Sequence, residues 1–309
     1  GRAFLGNVEW CPRGDRGQGA NVNKAPLPIY DDSDAFYLLS KNKLLKSYPK
    51  LQPLVSIIQA SYAQYLAVSG EPTLVINEPI GFAEAEFLKG HYASPPAVLA
   101  HITKMRHLRR QFTCPMCGSF HISELDHYLP KNGYPIFAIF SKNLVPACSC
   151  NNKRQQTLIG ANPKERVLHP YFDECLSERL IKACFEDLGP VPRVSIALNV
   201  PATHPQYAAI DFHMRSIVAR SDIVQHLAKR WSSLIRKPSL VVRAFEKNIS
   251  TVVEVESILQ KELSELDDLY EGKNNWDSVF AAGLTEPPVA AWIAAQLAVP
   301  GRIPNSALA

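Results

Sequence analysis

Four cysteines, one adjacent acid and histidine, and a scatter of asparagines crowd into residues 114 to 153 of this 309-residue chain. The stretch reads Cys114-Pro-Met-Cys117-Gly, then Glu124-Leu-Asp126-His127-Tyr-Leu-Pro130-Lys131, then Asn143-Leu-Val-Pro-Ala-Cys148-Ser-Cys150-Asn151-Asn152-Lys153. Two cysteine pairs at this separation can offer four thiolates to one Zn²⁺, whose tetrahedral, sulfur-tolerant chemistry suits a closed structural site. Between them lies a polar segment. On an extended strand neighbouring side chains point to opposite faces, so Asp126 and His127 can take separate roles. A hard carboxylate oxygen suits Mg²⁺ or Mn²⁺, and an imidazole that titrates near neutrality can take a proton from water. Alone, an Asp-His dipeptide is a weak signal. Cys11, Cys175 and Cys184 lie apart and read as small apolar side chains or idle thiols.

The combination is more specific than its parts. In order and spacing it resembles the HNH nuclease family, whose pattern runs CxxC, a DH pair followed by xxP, NLxxxC, then CN with a nearby Lys. The resemblance covers little more than residues 114 to 153. It implies a metal-dependent endonuclease that hydrolyses phosphodiester bonds in DNA, leaving a 5′ phosphate and a 3′ hydroxyl, in a setting such as restriction or phage defence. Carried over by position, His127 matches the general base and Asp126 a metal ligand. Asn143 matches the middle asparagine that steadies the loop and the base, and Asn151 matches the last ligand of a single Mg²⁺ or Mn²⁺. Cys114, Cys117, Cys148 and Cys150 match the structural zinc site. The family folds this stretch as two antiparallel strands and a helix around the metal. One departure is that the second cysteine pair is separated by one residue where the family has two. That leaves open whether Cys148 reaches the zinc, and whether Asn152 replaces Asn151. RNA is an alternative substrate, and a non-catalytic zinc module that binds nucleic acid or protein is an alternative function.

Charge points to the same region. Residues 104 to 166 hold ten Lys and Arg against three acids, within a chain of net charge +4, so the rest is slightly acidic. A polyanion is the partner such a patch suits. Arg109, Arg110, Lys131, Lys153 and Arg154 are the candidate phosphate contacts. His121 reads as an exposed strand residue and His169 as a packing or turn residue. No apolar run reaches the length of a membrane helix and no secretory signal opens the chain, so a cytoplasmic protein with no membrane contact is expected.

The elements that position these residues follow from periodicity. Residues 1–33, rich in Gly, Pro, Asn and Arg, read as an irregular arm. Residues 34–111 read as helical: Leu54, Ile57, Ile58, Tyr62, Tyr65 and Leu66 recur at helical spacing, and a second helix is expected from Pro96 to Arg110. Residues 112–165 form the nuclease unit of short strands and turns. Residues 166–309 read as a helical C-terminal region, with a helix near 174–187 and a short strand near 193–200. There Ile217, Val224, Leu227, Trp231 and Leu234 form one apolar stripe, and Val242, Phe245, Ile249, Val252, Leu259, Leu263 and Leu266 a second. The two are expected to pack as an antiparallel hairpin joined near Lys237-Pro238-Ser239, and such flanks could also receive a partner protein. The expected fold is therefore mainly α with a small ββα-metal unit containing zinc, α+β overall.

Overall fold

A computed structural model of the chain describes residues 24–107, 113–249 and 251–308. Cys11, Arg109, Arg110 and all but the end of the expected arm lie outside the described residues. The fold is a mixture of helices and two small antiparallel sheets, α+β as expected.

Four helices precede the cysteines. The first, α1 (Asp32–Lys41), starts where the Asp31 carboxylate accepts the Asp34 N–H at 2.9 Å, satisfying a donor that the helix itself cannot. The second, α2 (Val55–Ala67), buries Ile58, Tyr62 and Tyr65. Ile57 and Leu66 of the expected stripe lie on the exposed side instead. Next come α3 (Phe82–Ala93) and α4 (Ala100–His107). The expected helix from Pro96 thus begins as a 3₁₀ turn over Ala97–Leu99.

The middle segment loses its helical period, as expected. Strands β1 (Glu124–His127) and β2 (Leu144–Ala147) pair antiparallel, with Asp126 opposite Val145 and His127 opposite Leu144. A single-turn helix, α5 (Cys150–Lys153), follows directly. Alternation along β1 sends Leu125 and His127 inward and leaves Glu124 and Asp126 toward α5 and solvent.

Two expectations for the C-terminal part are corrected. The segment near 174–187 is not a helix: after a 3₁₀ turn over Glu174–Ser177 it becomes β3 (Ile181–Glu186), paired antiparallel with β4 (Arg193–Leu198), the strand that was expected. Leu176, Leu180, Ile181, Cys184 and Phe185 do recur at helical spacing. Cross-strand pairing and the helix stacked on β3 override that local preference. The helices that complete this half are α6 (Tyr207–His213), which runs on into a π turn over Met214–Val218, then α7 (Ile223–Arg236), α8 (Val252–Leu269), α9 (Trp276–Leu284) and α10 (Pro287–Leu297).

The helical hairpin is the second correction. The buried stripe of α7 is Ile223, Leu227, Trp231 and Leu234, with Val224 exposed. Pro238–Leu240 and Arg243–Glu246 are 3₁₀ turns, so Val242 and Phe245 belong to no long helix, and Val252 opens α8 in solvent. Instead of pairing as a hairpin, α7 and α8 each pack against α9. That helix approaches β3 so closely that a Cβ on Gly283 would meet the Ala183 carbonyl at 2.6 Å. One apolar core runs continuously from Phe36 through Tyr65, Phe137, Val145 and Trp231 to Ile293. Among the described residues no helix is long and apolar enough to cross a membrane.

Candidate functional site

The two cysteine pairs converge. The sulfurs of Cys114, Cys117, Cys148 and Cys150 all lie within 4.8 Å of one another, with Cys114 to Cys150 at 3.7 Å and Cys117 to Cys148 at 3.5 Å. Zinc–sulfur bonds of about 2.3 Å in a tetrahedron place sulfurs about 3.8 Å apart, so these four are positioned to bind a metal ion, and their all-thiol chemistry suits zinc. The short Cys148-Ser-Cys150 link therefore still presents both thiols. Main-chain N–H groups of Cys148 and Cys150 point at Cys114 Sγ and Cys148 Sγ, at 3.4 and 3.3 Å. Hydrogen bonding with Cys114, Cys117 and Cys150 pushes the Cys148 thiol far down, and bonding with Cys114, Cys117 and Cys148 pushes Cys150 far up. Packed thiols cannot all ionise together unless a cation offsets the charge.

The C-terminal half holds this knuckle. Gly118 sits at φ +80°, where a side chain is strained, and a Cβ there would come within 2.0 Å of the Asn274 carbonyl. Trp276 donates its indole N–H to the Cys117 carbonyl at 2.7 Å and its main-chain N–H to the Gly118 carbonyl at 3.2 Å. His213, buried on α6, accepts the Leu168 N–H at Nδ1 and so carries its proton on Nε2, which donates to the Met116 carbonyl at 2.6 Å. None of these three was singled out as a site residue from sequence. Their partners are main-chain carbonyls, which leave no mark on residue type.

Asp126, His127 and Asn151 also come together, across β1 and α5. Asn151 Nδ2 donates to Asp126 Oδ2 at 2.7 Å and to the His127 carbonyl at 3.2 Å. Asn152 instead turns to Glu124, at 3.2 and 3.0 Å from its two carboxylate oxygens, so Asn151 is the asparagine beside the Asp-His pair. Asp126 also accepts the His127 N–H at 2.7 Å. Burial alone would raise its pKa. Hydrogen bonds from His127 and from the Asn151 amide outweigh burial and hold it down at about 2.

The His127 ring is 2% exposed, and its Nε2 lies 2.9 Å from the Ala138 carbonyl. A carbonyl can only accept, so Nε2 carries the proton and Nδ1 presents a lone pair. That Nδ1 has no hydrogen-bond partner and lies 3.6 Å from Asp126 Oδ1. The edge of Tyr92 packs on the ring, centroids 4.3 Å apart, and the Tyr92 hydroxyl donates to the Leu125 carbonyl.

Asn143 braces the loop between β1 and β2. Fully buried, it accepts the Leu129 N–H at 2.7 Å and donates to the Leu129 and Phe137 carbonyls at 3.1 and 3.2 Å. Phe137 precedes Ala138, so the asparagine fixes the segment to which His127 is tied. Behind it runs a chain of buried bonds. His169 Nδ1 accepts the Tyr171 N–H, its Nε2 therefore donates to Tyr65 Oη at 2.8 Å, and the Tyr65 hydroxyl donates to Asn143 Oδ1 at 3.2 Å. His169 is thus more than a turn residue. From α1, Asp32 accepts the Ser141 N–H, the Ser141 hydroxyl and the Lys142 ammonium at 3.0, 2.7 and 2.7 Å, anchoring the turn that carries Asn143.

Among the basic candidates, Lys153 is exposed and lies 3.6 Å from Asp222, and Lys131 stands over the Tyr92 ring. Arg154 is a correction. It is 1% exposed, and its guanidinium donates to Asn151 Oδ1, the Thr157 carbonyl, and the His127 and Tyr128 carbonyls at 2.6 to 3.1 Å. A guanidinium so consumed fastens α5 to β1 and has no face left for a phosphate.

Fold and site together define a mixed α+β protein with four clustered cysteines positioned to bind a metal ion and an Asp-His-Asn group beside them. No family model matches the chain, and no solved structure matches it. It is similar to protein ea31 of Escherichia phage lambda, 27% identical over 177 residues, which is 54% of this chain and 59% of that protein. The chain therefore spans less than two thirds of that relative's length.

Proposed function

We propose that this protein is a metal-dependent endonuclease of the HNH type, cutting phosphodiester bonds in nucleic acid, with DNA the preferred substrate. The observation that supports the reading best is His127 Nδ1, a buried lone pair without a hydrogen-bond partner beside an ionised carboxylate, on a ring whose other nitrogen is committed to a main-chain carbonyl. Leaving such an atom unsatisfied costs about 1–3 kcal/mol, which a working role at that atom accounts for. In this reading His127 accepts a proton at Nδ1 from the attacking water. The Ala138 carbonyl holds Nε2–H throughout and favours the cationic ring that forms.

Asp126 and Asn151 would hold one Mg²⁺ or Mn²⁺. Their side chains are 2.7 Å apart. That contact is made by the amide nitrogen while Arg154 holds the amide oxygen, so ion binding would turn the amide and bring its oxygen to the cation beside the Asp126 carboxylate. When bound, the ion stabilises charge on the scissile phosphate and the departing oxygen. Arg154 keeps Asn151 against β1, and Asn143 keeps Ala138 against His127. The succession of β1, β2 and α5 beside a four-thiol cluster supports the family reading too, and the likeness to a phage lambda protein favours a phage-related setting such as restriction or defence.

The reading is tested by offering the zinc-loaded protein supercoiled plasmid and structured RNA, each with Mg²⁺ or Mn²⁺, and by end-labelling the products. Nicked plasmid bearing 5′ phosphate and 3′ hydroxyl ends is expected. Cutting of RNA alone would replace the substrate assignment. Binding without cutting under either metal would make the unit a non-catalytic zinc module.

A further inference from the structure

A groove runs between α4 and β1, lined by Tyr92, Arg106, His107, Ser123, Glu124 and Leu125. It leads to the Tyr92 ring, whose edge lies against His127. Two cations meet over that ring: the Arg106 guanidinium 4.7 Å and the Lys131 ammonium 4.8 Å from its centroid. Among the described residues Lys142 pairs with Asp32, Lys153 with Asp222, and Arg166 with Glu71 and Asp173, whereas Arg106 and Lys131 pair with no carboxylate. Among the described residues lining the groove the one acid, Glu124, is turned to Asn152 on α5.

Two cations this close to one ring and without a carboxylate partner repel each other, and both are only partly buried, with Arg106 also donating to the Tyr92 carbonyl. Phosphates bound to both remove that repulsion. Measured through the ring centroid, the two charges lie within about 10 Å of each other, the span of roughly three nucleotides at 3.4 Å of rise per nucleotide. We infer that the groove between α4 and β1 seats the substrate strand, with Arg106 and Lys131 holding backbone phosphates on the approach to His127. The inference rests on the nuclease reading for its substrate and adds the binding residues and the path. Arg106 and Lys131 are positioning residues here. They fix where the strand lies, and Tyr92, pinned through its hydroxyl to Leu125, gives the clamp a rigid floor.

The experiment measures binding and leaves cleavage aside. Zinc-loaded full-length His127→Ala protein is titrated into fluorescein-labelled single-stranded and duplex DNA by fluorescence anisotropy over a range of salt concentrations, and compared with the same protein carrying Arg106→Gln, Lys131→Gln or both. Each neutralisation is expected to reduce the slope of log affinity against log salt by about 1 and to weaken binding several-fold, with Lys261→Gln on α8 leaving both unchanged. Slopes for Arg106→Gln and Lys131→Gln equal to that of the parent protein would overturn the inference. If the native chain cuts DNA while these variants bind normally, the groove is wrong and the nuclease stands. If they lose binding as stated and the native chain never cuts, the groove stands and the nuclease reading fails.

Discussion

Asn143→Ala is the perturbation whose consequences the structure specifies most fully. The substitution strips partners from the Leu129 N–H, the Leu129 carbonyl and the Phe137 carbonyl, all in a fully buried setting. Tyr65 loses Asn143 but keeps His169. The Phe137 carbonyl keeps the Phe140 N–H at 3.2 Å, so two buried main-chain groups are orphaned, and at about 1–3 kcal/mol each they give a loss of about 2–6 kcal/mol, toward the lower end where water enters the space vacated. For a chain of this size that lowers Tm by roughly 4–12 °C. Thermal unfolding followed by circular dichroism, on protein with matched zinc content, measures it. The damage reaches the reaction as well. With Phe137 held only by the bonds of its own 3₁₀ turn, the neighbouring Ala138 carbonyl fixes His127 less firmly, and cleavage should fall even at temperatures where the variant is folded. A Tm within about 2 °C of the parent, corresponding to less than roughly 1 kcal/mol, would refute the bracing role.

Four further outcomes follow. Gly118→Ala forces a side chain into the Asn274 carbonyl at a positive-φ position, and zinc retained after dialysis against a chelator should drop well below one equivalent while Gly133→Ala retains it. Cys148→Ser removes one of four clustered thiols and should release zinc to a chromogenic chelator much faster than Cys175→Ser, since Cys175 is buried away from the cluster. Burial pushes the His169 imidazole down to about 3 from an ordinary 6.5, so the unfolded chain binds this proton below pH 6.5 while the folded chain stays neutral until near 3. Stability must therefore fall as pH drops through that window, by roughly 1.4 kcal/mol per unit at its steepest, and His169→Gln should flatten the denaturation midpoint against pH between about 6 and 4. Parallel curves for the two proteins would contradict that assignment. Arg154→Ala should destabilise the protein outright, by about 3–5 kcal/mol in urea unfolding, because it leaves Asn151 Oδ1 and the Tyr128 carbonyl without their donor and takes one of two donors from the His127 carbonyl; an effect confined to DNA affinity would return Arg154 to the phosphate contacts.

The parts legible in the sequence were those where chemistry restricts residue type. Thiol spacing foretold the convergence of Cys114, Cys117, Cys148 and Cys150, and alternation foretold that Asp126 and His127 take opposite faces, though not which of them turns inward. The choice of Asn151 over Asn152 depended on the start of a single helical turn, which spacing alone left open. Where main-chain atoms are the partners, the sequence carries no sign of them. His213, Trp276 and Arg154 serve carbonyls that any residue provides, and Arg154 looked like surface charge because its neighbours in sequence are polar. The strand at Ile181–Glu186 was misread for a different reason. Its apolar residues satisfy a helical period, and only the pairing with β4 and the close approach of Gly283 on α9 select the extended form. The expected hairpin failed because 3₁₀ turns at Pro238 and Arg243 break the second stripe, so α9, a short helix with little periodic signature, became the common partner of α7 and α8.

The central claim is that His127 activates water at Nδ1. It is tested most directly by single-turnover cleavage of plasmid DNA in Mg²⁺ by the native chain and by His127→Ala at equal zinc content and equal DNA occupancy. Loss of general-base catalysis predicts a fall of about 10²- to 10⁴-fold with binding unchanged. A His127→Ala protein that is folded, zinc-loaded and cuts at the native rate would contradict it.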